Sequence, residues 1–139
     1  MTLRPPLAEE RLTMLIGGRR VPAASGECFE SFDPFTGKPW ALVPRAGEAD
    51  VDAAVAAAAR AFRGEWRQMT ATARGQILCR FADLVAQNAE RLAVLETRDN
   101  GKLINEMRMQ CRYIPQWFRY FGGLADKVEG RVIPIDKPG

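Results

Sequence analysis

The chain has 139 residues, 47% hydrophobic and 27% charged, with 20 Lys+Arg against 17 Asp+Glu for a net charge of +3. That length suits one globular domain with a core of its own, and no apolar run approaches the about 20 residues needed to cross a bilayer. Basic residues interleave with acidic ones, as at Glu90-Arg91 and Arg98-Asp99, rather than forming the basic stripe of a nucleic-acid footprint, so neither nucleic acid nor membrane is an expected partner.

Residues 1–13 are polar, carry Pro5-Pro6 and read as a loose arm without the order of a secretory signal. Met14-Leu15-Ile16, Gly17-Gly18 and Arg19-Arg20-Val21 predict a short hairpin, because two glycines supply the positive φ of a tight primed turn. Residues 23–26 are small and turn-like. Residues 27–32 predict a half-buried strand with Cys28, Phe29 and Phe32 as its apolar positions. Asp33-Pro34-Phe35-Thr36-Gly37 is turn chemistry, with Pro presetting φ, Asp bonding the backbone ahead and Gly taking the left-handed position. Residues 40–43 return as a strand, so the first 45 or so residues predict small antiparallel β-structure.

The period then changes. Val51, Ala54, Val55, Ala58 and Phe62 share one face of a helix over 48–62, with Glu48 and Asp50 in its first turn and Gly64 closing it. Thr70 is the expected N-cap of the next helix, whose buried stripe is Ile77, Leu78, Phe81, Leu84 and Val85; Ala73 at N3 excludes a reciprocal capping box. Asn88 is the expected cap of a further helix carrying Leu92 and Leu95, which stops at Asn100-Gly101. A last helix runs from about residue 105 to 121. Pro115 inside it removes one backbone bond and is expected to kink or split it. After Gly122-Gly123, residues 124–127 continue briefly, and 131–136 read as a strand followed by the start of a turn. A lone strand leaves its backbone groups unpaired, so the expectation is that the functional polypeptide is longer than these residues.

Histidine is absent, which removes any Ser-His or Cys-His nucleophile, His base or His-ligated metal. Cys28, Cys79 and Cys111 are widely spaced with no CxxC. Neither a disulfide framework nor a zinc site follows, and a reducing cytoplasm is the expected setting.

In chain order, "LIGGRRV", "SFDPFTGK", "ADVDAAVAAAARAF", "WRQMTATARGQILCRFADLV", "LETRDNGK" and "YFGGLADKVEGRVIPID" resemble the N-terminal part of an NAD(P)-dependent aldehyde dehydrogenase. The resemblance runs from about Leu15 to Asp136 and implies an aldehyde dehydrogenase-like α/β fold. Of that fold this chain would supply the N-terminal β-hairpins, the outer helices of the cofactor domain and the first strand of the oligomerisation arm. The implied division is an arm at 1–13, the N-terminal part of the cofactor-binding domain at 14–130 and the start of the association arm at 131–139. It also implies oxidation of an aldehyde with NAD or NADP through a thiohemiacetal, and a homo-oligomer, dimer or tetramer, when full length. The family's catalytic Cys, Glu base, oxyanion hole and NAD contacts have no counterpart motif here, so catalytic and cofactor-binding residues are expected to be absent from this chain.

Four groups of residues carry alternatives. Asp99 lies near a helix C-terminus, where the dipole disfavours a negative charge. The resemblance implies that it binds a monovalent cation, Na+ or K+, with the backbone carbonyls of Ser31 and Phe32; the alternative is a local turn cap or a pair with Lys102. Cys111 follows Gln110, as the family's nucleophile often does, but a buried helix cysteine is the better reading because nothing nearby activates a thiolate. Cys79 and Cys28 read the same way. Met109, Tyr113 and Trp117 share one helix face; the resemblance places Met109 and Tyr113 at the substrate entrance, and an ordinary packed face explains the same spacing. Val132, Ile133, Pro134, Ile135 and Asp136 resemble the subunit-association arm, with an internal sheet edge as the alternative. Arg98 and Lys102 read as solvated helix-end charges. The rival to the enzyme reading is a catalytically inactive truncated interaction module or pseudo-enzyme, and a weaker one is a small nucleic-acid binder.

Overall fold

The computed structural model describes residues 10–131. The expected association strand at Val132–Asp136 lies outside the described residues.

The β-portion follows from turn chemistry. Gly17 and Gly18 adopt φ of 58° and 77°, and they join β2 (Met14–Ile16) to β3 (Arg19–Val21) in the expected antiparallel hairpin. The Asp33 turn is bonded as its sequence demands. Asp33 Oδ1 accepts from the backbone N–H of Phe35 at 2.8 Å and Thr36 at 3.3 Å, and Gly37 closes the turn at φ 66°. It connects β4 (Cys28–Phe32) to β5 (Pro39–Pro44) in antiparallel register, with a shift between Ser31 and Phe32. Two expectations are corrected here. Glu10 and Arg11, taken as loose arm, form β1 and pair with Ala41 and Leu42 of β5 in parallel, so the sheet order is β1-β5-β4 and not purely antiparallel. Of the expected apolar positions Phe29 and Phe32 are exposed and Cys28 is half-buried, on a strand at the edge of its sheet; Phe29 instead carries the Arg45 guanidinium over its ring at 5.4 Å.

Five helices follow: α1 (Glu48–Arg63), α2 (Glu65–Gln68), α3 (Ala71–Gln87), α4 (Ala89–Asn100) and α5 (Ile104–Leu124). Asp50 ties α1 to the preceding loops. Its buried carboxylate accepts from the backbone N–H of Gly47 at 3.0 Å and of Ala24 at 3.0 Å. Thr70 caps α3 as expected, accepting from Ala73 N–H at 3.1 Å. Asn88 does not cap α4 with its side chain; its amide donates to Leu84 O at 2.8 Å and closes α3 instead.

The helical stripes mark the right faces but the wrong burial. On α1, Val55 and Phe62 are 63% and 65% exposed, because no described element lies over that face. On α3 the buried residues are Gly75 and Ala82, while Phe81 and Leu84 are exposed and Ile77, Leu78 and Val85 half-buried. The reason is a close crossing: α3 meets α5 through glycines, so large side chains stand around the contact. A Cβ built on Gly75 would lie 2.3 Å from Gly122 O, and one on Gly122 would lie 3.0 Å from Cys79 Sγ. Phe81 reaches Phe118 edge-to-face at 4.8 Å.

α5 runs unbroken through Pro115, so the expected split does not occur. Pro115 is fully buried, and Ala89, Ala93, Met107 and Cys111 form the core beside it. The burial of Pro115 itself, with Met107 and Cys111 on the turns before it, offsets the about 3 kcal/mol that proline costs a helix interior. Two ion pairs clamp the bundle at its surface. Arg108 grips the Glu90 carboxylate at 2.7 and 3.1 Å and joins α5 to α4, and Arg119 meets Asp83 of α3 at 2.7 Å. The hydrogen bond from Arg108 holds the Glu90 carboxyl below its ordinary range.

Candidate functional site

The end of α4 meets the β4–β5 turn in a tight corner. Gly101 adopts φ 76°, and its N–H donates to Thr97 O at 2.9 Å, ending the helix in the left-handed conformation that glycine tolerates. An added Cβ there would also crowd Pro34 Cβ at 3.2 Å, closer than ordinary van der Waals contact. Asn100 secures the exit: its side-chain oxygen accepts from Lys102 N–H at 2.9 Å, and its amide donates to Glu96 at 2.7 Å. Arg98, expected as a solvated charge, lies over the buried Trp40 ring at 5.2 Å, a cation–π contact that removes it from the neighbouring carboxylate.

Asp99 is thus left with a partner that sequence reading missed. Ser31 Oγ donates to Asp99 Oδ1 at 2.8 Å, bridging β4 and α4 across 68 residues. Neither sequence alternative holds: the local turn is bonded by Asn100, and among the described residues the ion pairs are those of Arg108, Arg119 and Lys127, with none to Asp99. The strand beside the carboxylate is irregular. The register shifts between Ser31 and Phe32, and Phe32 faces Pro39, which has no N–H to offer the ladder. Among the described residues no three His, Cys, Asp or Glu side chains cluster as a metal site.

The face of α5 that carries Met109, Tyr113 and Trp117 is open. Tyr113 meets Trp117 edge-to-face at 5.9 Å, and Trp117 stacks on Phe121 at 6.4 Å. All are more than half exposed. Cys111 lies in the core, as expected. Burial pushes its thiol up from the ordinary value, and the nearby Glu96 carboxylate adds to the effect, so a thiolate is disfavoured there. The described thiols are unpaired.

The sequence pattern that defines the "Aldehyde dehydrogenase family" matches residues 21–139. The chain belongs to this family. Among curated relatives, the chain is 49% identical over 111 residues to the (Z)-2-((N-methylformamido)methylene)-5-hydroxybutyrolactone dehydrogenase of Acinetobacter baylyi, covering 79% of this chain and 23% of that protein. It is 42% identical over 134 residues to the hydroxyisobutyraldehyde dehydrogenase of Mycolicibacterium austroafricanum, covering 96% and 25%. The backbone of this chain matches the NAD+ complex of the Bacillus cereus aldehyde dehydrogenase with a TM-score of 0.87 at 38% identity, over 98% of this chain and 29% of that one. The NAD-dependent aldehyde dehydrogenase of Sinorhizobium meliloti matches with a TM-score of 0.85 at 33% identity, over 89% and 25%. The chain therefore spans about a quarter of the length of the relatives it matches. Its strand pairs and helices are an α/β portion of that fold. No helix among the described residues is long and apolar enough to cross a membrane.

Proposed function

We propose that this chain is the N-terminal scaffold of an enzyme that oxidises an aldehyde to a carboxylic acid with NAD or NADP. The observation that carries the reading is the family match over residues 21–139, joined to coverage of only about a quarter of each relative. Relatives named as dehydrogenases and a neighbour solved with NAD+ support the reaction class and the cofactor. The cofactor supplies the hydride acceptor; the part of this chain is to shape and brace the domain that holds it. The exposed apolar faces of α1 and α5 suit surfaces that the rest of such an enzyme covers. On this reading Met109 and Tyr113 border the substrate entrance, and Val132, Ile133, Pro134, Ile135 and Asp136 begin the arm through which a homodimer or tetramer associates. The unpaired thiols suit a reducing compartment such as the cytoplasm.

At the α4 corner, Asp99 with the carbonyl oxygens of Ser31 and Phe32 holds Na+ or K+. The uncompensated carboxylate beside the irregular strand supports this assignment.

Two measurements test the proposal. The isolated chain forms no NADH from NAD+ and an aldehyde, read as absorbance of the reduced nicotinamide; NADH formation abolished by Cys111→Ser would overturn the scaffold role. In the complete enzyme, Asp99→Ala loses the dependence of thermal stability on Na+ or K+. A variant that keeps the wild-type cation response removes the ion from this corner.

A further inference from the structure

The chain has three asparagines, Asn88, Asn100 and Asn105, followed by Ala89, Gly101 and Glu106. The follower decides their chemistry. An asparagine side-chain carbonyl is open to attack by the backbone nitrogen of the next residue, and glycine, with no Cβ, leaves that approach unobstructed and the backbone free to make it. The new N–C bond expels the side-chain nitrogen as ammonia and closes a succinimide ring. Water then opens the ring at either carbonyl and leaves aspartate or isoaspartate. Water is the only co-reactant.

The folded corner holds this pair closed. Asn100 is the last helical residue of α4, so its side chain leans back toward the preceding turn while the Gly101 nitrogen lies ahead of it. That nitrogen is itself engaged, donating its N–H to Thr97 O at 2.9 Å. Both ends of the reacting amide are tied as well. Asn100 Oδ1 accepts from Lys102 N–H at 2.9 Å, and Nδ2 donates to Glu96 Oε2 at 2.7 Å. Yet Glu96, Asn100, Gly101 and Lys102 are all exposed, and the ends of helices are where local opening costs least. When the last turn frays, the nitrogen and the carbonyl are released together.

We propose that Asn100–Gly101 is a deamidation site gated by the last turn of α4, and that its modification keeps the turn from closing again. The product explains the second half. It replaces the amide donor by a carboxylate where Nδ2 now meets Glu96 at 2.7 Å, beside Asp99 and at a helix C-terminus, where like charges and the helix carbonyls all oppose it. Isoaspartate also lengthens the backbone by one atom at the cap.

The test incubates the complete enzyme in mildly alkaline buffer, folded and in urea. Cleavage after Arg98 and Lys102 then releases the peptide of residues 99–102, in which mass spectrometry reads the exchange of amide for acid. In the folded enzyme deamidation of Asn100 is slower than in urea by about tenfold or more, equivalent to an opening cost of about 1.4 kcal/mol or more. Glu96→Ala removes one tie and reacts about threefold faster than wild type when folded, with no change in urea. Glu96→Gln keeps an acceptor and stays at the wild-type rate. Asn100→Asp, one of the two products, lowers the thermal midpoint, and high salt narrows the loss by screening the added charge. Equal rates folded and in urea overturn the proposal, as does an unmodified Asn100 in urea. Glu96→Ala at the wild-type rate, or Glu96→Gln as fast as Glu96→Ala, removes the gate. An unchanged midpoint in Asn100→Asp removes the one-way step.

Discussion

The crossing of α3 and α5 is set by two glycines, and replacing one of them gives a sharp test of the packing. Gly75→Ala puts a methyl group 2.3 Å from the carbonyl oxygen of Gly122 and 3.3 Å from Ala125 Cβ. The first contact is far inside van der Waals distance and its partner is backbone, so no rotamer change relieves it and the helices must move apart. Overpacking costs ~1–3 kcal/mol in general, and an unyielding backbone contact belongs at about 3 kcal/mol. Alanine's advantage over glycine in a helix offsets about 1 kcal/mol of that. The net loss is about 2 kcal/mol, which in a chain of 139 residues lowers Tm by about 6–8 °C. Gly123→Ala is the control. It lies in α5 beside Gly122, on the other side of the same crossing, and an added Cβ there meets nothing within 4 Å, so the variant is unchanged or stabilised by up to ~1 kcal/mol. Thermal unfolding by circular dichroism at 222 nm, a helix signal, reads both; about the same Tm for Gly75→Ala and Gly123→Ala would refute the close crossing.

Two further expectations rest on single side chains. Asp50→Ala leaves the N–H groups of Gly47 and Ala24 without their carboxylate partner; hydrogen bonds to a charged group contribute about 1.5–3 kcal/mol each, so urea unfolding shows a loss of about 3 kcal/mol. A change below about 0.5 kcal/mol, the range of ordinary surface substitutions, would show that the carboxylate does not anchor α1. Cys111 governs the alkaline side. Its folded thiol titrates above the ordinary value of 9.0, chiefly through burial and then through Glu96. The native state therefore holds this proton more tightly than the unfolded chain. The associated stability is fully present below pH 9.0 and is lost as pH rises through the higher folded value. Wild type accordingly loses Tm more steeply than Cys111→Ala above that pH, and parallel curves would show that the thiol is not desolvated.

Local chemistry in the sequence determined much of this protein. Gly17-Gly18, the Asp33–Gly37 turn, the Thr70 cap and the Asn100-Gly101 stop were legible because each depends on φ or on hydrogen bonds to residues a few positions away. The ordered motifs were legible as a family for the same reason, as runs read one after another. The buried state of Cys111 also followed from its surroundings in the chain.

Tertiary structure decided the rest. The strand at Glu10–Arg11 exists only because β5 lies beside it. Asn88 turned back to α3 because Leu84 O was in reach, and Pro115 stayed within a continuous helix because packing on α5 offset its cost. The apolar stripes gave the period of each helix but not its neighbours: periodicity says which side chains share a face, while burial depends on what stands opposite. On α3 that was the backbone of α5, which admitted only glycine. The same limit applied to Asp99. Its charge at a helix C-terminus was visible in the sequence as an oddity. The hydroxyl that holds it comes from a strand 68 residues earlier, and only folding the chain brings those two oxygens within 2.8 Å.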